Sequence, residues 1–141
     1  MSSITFEDLT TKLEAVATLA GAASVIVGGI DDGDRIRDTV FPLVWFIPTT
    51  STPANATVSR SFEVHIYDEL NTGDTNQAAK WSSTEVIGLQ IIANLKNNFD
   101  NREYEFTTGS MQAVTNEFEN LLHGWVFTFE VLTPYTYDIC D

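Results

Sequence analysis

The stretch that most restricts how this chain can fold is Trp125-Val-Phe-Thr-Phe-Glu-Val-Leu132. Trp125, Phe127, Phe129 and Val131 alternate with Val126, Thr128, Glu130 and Leu132. That period of two gives an extended strand one strongly apolar face and one mixed face. Its aromatic residues are committed to packing, and nothing in it resembles a reacting group. A chain that uses its most distinctive residues in this way reads as a building block before it reads as a catalyst.

At 141 residues and 43% hydrophobic, one compact domain over residues 1–141 with its own core is expected. Seven basic against twenty acidic residues give a formal charge of −13. Affinity for nucleic acid comes from neutralising phosphates, so sequence-specific DNA binding is not expected. An acidic surface serves solubility, and it equally suits a protein past which DNA slides without sticking. Cys140 is the only cysteine, which leaves no intramolecular disulfide, so the fold is expected to rest on burial alone. Met1-Ser-Ser-Ile-Thr-Phe-Glu-Asp8 lacks the basic region and apolar run of a signal peptide. No segment approaches the ~20 apolar residues of a membrane span. A soluble protein made in a cytoplasm, with no membrane partner, is the expectation.

Thr5 followed by Asp8 reads as a helix cap, with Glu7 and Asp8 in the first turn where the helix dipole favours acids. Phe6, Leu9, Leu13, Val16, Ala17 and Ala20 then recur at helical spacing and Gly21 is a stop, which predicts a helix over about residues 5–20. Ala23 to Ile30 reads as a strand closed by the acidic turn Asp31-Asp-Gly-Asp34. Thr39 to Ile47 reads as a second strand, apolar on both faces, with Pro42 marking an edge or a bulge near its start. The small, polar, proline-bearing segment from Pro48 to Thr57 is expected to be a loop. From Ser59 to Tyr67 strict alternation returns, with Phe62, Val64 and Ile66 on one face and Ser61, Glu63, His65 and Tyr67 on the other. Asp68 to Gln77 reads as a second polar loop.

A long helix follows over roughly Ala78 to Asn98. Ile87, Ile91, Leu95 and Phe99 fall at i, i+4 steps, and Trp81, Val86, Leu89 and Ile92 widen the apolar arc. That arc is broad for a helix covering one sheet face. A second buried surface on a neighbouring subunit, or packing beneath the chain's own loops, would account for it. Arg102 to Thr108 reads as a strand with Tyr104 and Phe106 inward, Gly109-Ser110 as a turn, and Met111 to Phe118 as another strand before the Trp125 strand. The order α, β, β, β, α, β, β, β predicts an α+β fold: a mostly antiparallel sheet with an N-terminal helix and one long helix packed on it.

These elements resemble a known family. The residues that carry the resemblance are Phe41-Pro-Leu-Val44, Arg60-Ser-Phe-Glu-Val-His-Ile-Tyr-Asp68, Ile91-Ile-Ala-Asn-Leu95 and the closing run Phe118 to Val131. In that order, behind an N-terminal helix, they are similar to the tail-terminator and tail-completion (head-tail joining) proteins of tailed bacteriophages. The likeness spans nearly the whole chain and lies in element order and strand texture. It implies a virion protein, made in the host bacterial cytoplasm, that assembles as a homo-oligomeric ring, generally a hexamer. Such a ring caps the tail tube, connects it to the neck and lets DNA pass through its lumen. Heterologous interfaces that close on themselves produce cyclic assemblies of this kind. The implied partners are the tail tube protein and neck or connector proteins. The family brings no catalytic residues and no cofactor. Another neck connector ring, an adaptor or a stopper, is the alternative within the same class.

An enzyme is not expected. His65 and His123, the two histidines, stand at no metal-ligand spacing and in no triad-like neighbourhood, so both read as surface or hydrogen-bonded structural histidines. Cys140 lies near a chain end, a poor place for a reactive thiol. Asp31-Asp-Gly-Asp34 is followed by Arg35, Arg37 and Thr39 where a calcium loop needs further oxygen ligands. Gly28-Gly29 has no helix behind it to hold a phosphate. A soluble small-molecule module would instead use Trp45, Trp81 and Trp125 to line a cleft. On the ring expectation, Trp81 and Phe99 are the candidates for packing of the long helix and for an interface. Asp31, Asp32 and Asp34 are the candidates for a surface facing DNA or a partner.

Overall fold

A computed structural model of the protein describes residues 4–29, 40–69, 77–99, 104–115 and 122–135. Its elements are α1 (Phe6–Ala20), β1 (Ser24–Val27), β2 (Leu43–Ala54), β3 (Thr57–Glu69), α2 (Gln77–Phe99), β4 (Glu105–Thr108), β5 (Gln112–Thr115) and β6 (Leu122–Pro134). The order is the expected α, β, β, β, α, β, β, β, and the class is α+β with an N-terminal helix and one long helix.

Helix α1 begins and ends for local reasons. The Thr5 hydroxyl accepts the Asp8 N–H at 3.0 Å, satisfying one of the donors left open at a helix start. At the other end Gly21 adopts φ 113°, and the N–H groups of Gly21 and Ala22 return to the carbonyls of Thr18 and Ala17. That paired closure needs a left-handed residue, which glycine supplies without a steric penalty.

The sheet is mixed, in the order β1-β2-β3-β6-β4, with β5 also paired to β6. Strand β1 runs parallel to β2, and the other pairings are antiparallel. Strands β2 and β3 differ most from expectation. The segment from Pro48 to Ala54, expected as a loop, continues β2 and pairs with β3 down to Ala54–Thr57. The turn at Asn55-Ala56 places Ala56 at φ 62°. A register shift between Pro48 and Thr50 lets the ladder pass the proline. Prolines and small polar residues read as loop, yet a strand with a neighbour on one side tolerates both. The other strand boundaries are shorter than expected at β1, β4 and β5, and the expected residues at 100–103 and 116–121 lie outside the described segments.

The two faces of the sheet carry separate cores. On one, Val44, Phe46, Phe62, Val64, Ile66, Phe127, Phe129 and Val131 meet Leu9, Leu13 and Val16 of α1 and Ile87, Ile91, Leu95 and Phe99 of α2. Phe129 is the hub: Phe62 stacks on it at 5.3 Å, and Phe106 and Phe46 approach at 5.7 and 6.4 Å. Each such ring contributes roughly 1.5–3 kcal/mol on full burial, so this cluster is the main adhesive between strands and helices. On the other face Ile26, Leu43, Trp45, Ile47, Tyr67 and Leu122 form a smaller cluster. The alternation expected of the Trp125 strand therefore holds: Phe127, Phe129 and Val131 are buried, and Thr128 and Glu130 are exposed.

Candidate interaction surface

Helix α2 sits close to the sheet because Gly88 has no side chain. A Cβ there would stand 2.5 Å from Met111 Cε and 2.9 Å from Ile66 Cδ1. Helix α1 lies alongside and points the opposite way: Lys12 Nζ is 5.7 Å from the Phe99 ring centroid, while Gly21 sits opposite Ile87. The two helices together cover one sheet face and turn their outer sides to solvent.

The outer side of α2 is where the broad apolar arc goes. Val86 is 48% exposed and Leu89 is 52% exposed, whereas Ile87, Ile91 and Leu95 are buried. The exposed positions between Ser82 and Ala93 are Ser82, Ser83, Val86, Leu89, Gln90 and Ala93, none of them charged, with Glu85 partly exposed among them. On α1, Leu19 is 77% exposed and lines a shallow depression with Thr11, Glu14, Ala15 and Thr18. At the far end of the sheet, β2 projects Pro48 to Ala54 into solvent. Strand β1 ends its pairing at Phe46, so the outer edge of β2 beyond that point has no strand partner among the described residues.

The expected interface residues take different places. Phe99 is 1% exposed and meets Tyr104 edge-on at 5.6 Å. It packs the long helix but offers no surface to a second chain, because its ring is consumed by the core. Trp81 is half-buried, with its indole N–H donating to the Val114 carbonyl. Asp31, Asp32 and Asp34 lie outside the described residues, as does Cys140.

The tryptophans do not share a cleft. Trp45 pairs with His65 across β2 and β3, and Trp125 pairs with Ile66, so register puts them on opposite faces of the sheet. Trp45 donates to the Gly28 carbonyl instead. His65 is held between Tyr67 Oη at 2.6 Å and Glu63 Oε1 at 2.7 Å. His123, expected at the surface or hydrogen-bonded, is instead 1% exposed because β6 starts at Leu122 and carries it inward, with its ring edge-on to Trp81 at 5.3 Å and, among the described residues, no hydrogen-bond partner for either nitrogen. Among the described residues no group of three His, Cys, Asp or Glu side chains is placed to hold a metal ion, and no helix is long and apolar enough to cross a membrane.

Sequence reasoning had flagged Val86 and Leu89 through the width of the arc, but it missed Leu19, whose place beside the buried Ala20 is off the helix's apolar stripe. The chain matches no protein-family model, and a search of curated proteins finds no match.

Proposed function

We propose that the protein is a structural component of a tailed-bacteriophage virion, acting at the tail terminus or head-to-tail junction as a homo-oligomeric ring with DNA passing through its lumen. Two lines support this reading. One is the resemblance in element order and strand texture to tail-terminator and tail-completion proteins. The other, which carries it, is the uncharged outer stripe of α2 with Val86 and Leu89 half exposed. Burying the exposed half of two such side chains against a neighbour contributes roughly 0.7–1.5 kcal/mol each. The negative charge opposes sticking to DNA, as a lumen lining requires. The mechanism is geometric: heterologous contacts repeat around an axis until they close.

Solution mass by light scattering across protein concentration, with electron microscopy of any large species, tests the proposal. Rings with an open lumen, or a cap on added tail tubes where the free chain is monomeric, are the expected outcomes. A chain that remains monomeric at all concentrations and leaves tail tubes uncapped overturns it.

A further inference from the structure

The outer side of α2 carries the spacing of a helix–helix seam. Ala79, Val86 and Ala93 recur at seven-residue steps, and Ser82, Leu89 and Lys96 follow each by three; all are exposed. Those are the a and d positions of a heptad, through which one helix packs on another. The charges nearest the seam also share a side. Glu85 and Lys96 stand eleven residues apart, about three full turns, so both project from the same flank of the helix. Among the described residues neither forms an ion pair.

These features select one arrangement of two such helices. Set parallel, the seam would place Lys96 on the second copy's Lys96, like charge on like. Set antiparallel, Leu89 falls opposite the second copy's Ala93, a large side chain against a small one, and the stem of Lys96 lies over the second copy's Val86. Its ammonium then comes level, within one residue's rise of about 1.5 Å, with the second copy's Glu85. A two-fold axis makes each contact twice. Helix α1 joins the same surface: Lys12 reaches Phe99 and Gly21 faces Ile87, which sets Leu19 level with about Gln90, close to the midpoint of the pairing. Leu19, Val86 and Leu89, exposed by 77%, 48% and 52%, are thereby covered together.

We propose that this surface binds a second copy of the chain through an antiparallel α2–α2 pair, with Glu85 of each copy on Lys96 of the other. The proposal rests on the reading that the α2 stripe meets another copy, and it names the surface met in the free chain. An isologous pair closes on itself. It therefore withholds Val86 and Leu89 from the head-to-tail contacts of a ring, and ring assembly has to open it. A dissimilar partner is a poorer fit, because the large-on-small and acid-on-base matches all come from within one helix.

Charge exchange tests the pairing. Light scattering across protein concentration gives the dimer dissociation constant of the full chain, and circular dichroism melts check that each variant folds. Glu85→Lys and Lys96→Glu each set like charges together twice per dimer and are expected to weaken it about tenfold or more. The double variant Glu85→Lys/Lys96→Glu restores opposite charges and is expected to return to within about threefold of the parent. Leu19→Lys, on the other helix, is expected to weaken the dimer in both the parent and the double variant. A parent that stays monomeric, single variants without effect, or a double variant as weak as either single one overturns the pairing and leaves the ring reading to the capping of added tail tubes. Rings that form in place of dimers and ignore the exchange overturn the pairing and uphold the ring. A dimer that obeys the exchange while tail tubes stay uncapped upholds the pairing and removes the ring.

Discussion

The indole N–H of Trp125 donates to the backbone carbonyl of Trp81 at 2.8 Å, and the indole N–H of Trp81 donates onward to the Val114 carbonyl at 3.2 Å. Two tryptophans therefore tie the start of α2 to β6 and to β5. Each buries much of its ring and still finds an acceptor, the condition under which a large indole is favourable in a core.

Replacing Trp125 by Phe keeps most of the ring area and removes one hydrogen bond. The expected loss is about 0.5–1.5 kcal/mol, read from the midpoint of urea unfolding. Trp81→Phe is expected to cost a similar amount. The double variant should fall short of or exceed the sum, because the two residues share one contact.

Gly124 has no room for a side chain. A Cβ at that position would lie 1.6 Å from the Ile66 carbonyl oxygen, which is backbone and cannot swing aside. Gly124→Ala should force β3 and β6 apart and cost roughly 4 kcal/mol or more, among the largest effects of a single methyl. A circular dichroism melt within a few degrees of the parent protein would refute this.

His123→Leu should be neutral or stabilising. It removes two buried ring nitrogens that have no hydrogen-bond partner among the described residues, and an unsatisfied buried polar group costs about 1–3 kcal/mol. Chemical denaturation decides the sign, and a marked loss of stability would show that the ring edge against Trp81 contributes more than its desolvation costs.

Paired Val86→Lys and Leu89→Lys substitutions should leave unfolding of the isolated chain within about 0.5 kcal/mol per site, since both positions are half exposed. The same variant should lose self-association or tail capping, because each new ammonium would have to be desolvated in the contact. Light scattering and a tail-capping assay read the two effects separately.

What could be read in the chain followed the range of the interaction that decided it. The caps of α1, Thr5 and Gly21, are local chemistry and stood where the residues put them. The parity of Phe127, Phe129 and Val131 was equally plain, because alternation needs no partner to be visible. The strand at Pro48 to Ala54 was not legible: apart from Thr49 at the register shift, those residues pair with β3, and no local signal announces a partner across a hairpin. The separation of Trp45 from Trp125 depends on cross-strand register, which composition does not carry. Arg60 is a different case. It shares its parity with Phe62, Val64 and Ile66 and is buried with them, but its charge kept it out of the expected inner face.

Among the described residues, the outer edge of β2 beyond Phe46 carries no strand partner. An open ladder rim is a template onto which any extended segment can stack, and unlimited stacking ends in fibrils. Pro48 and Pro53 interrupt this rim with positions that have no N–H to give. A gatekept rim of this kind resists continuous strand addition, so the exposed arm does not condense on its own copies.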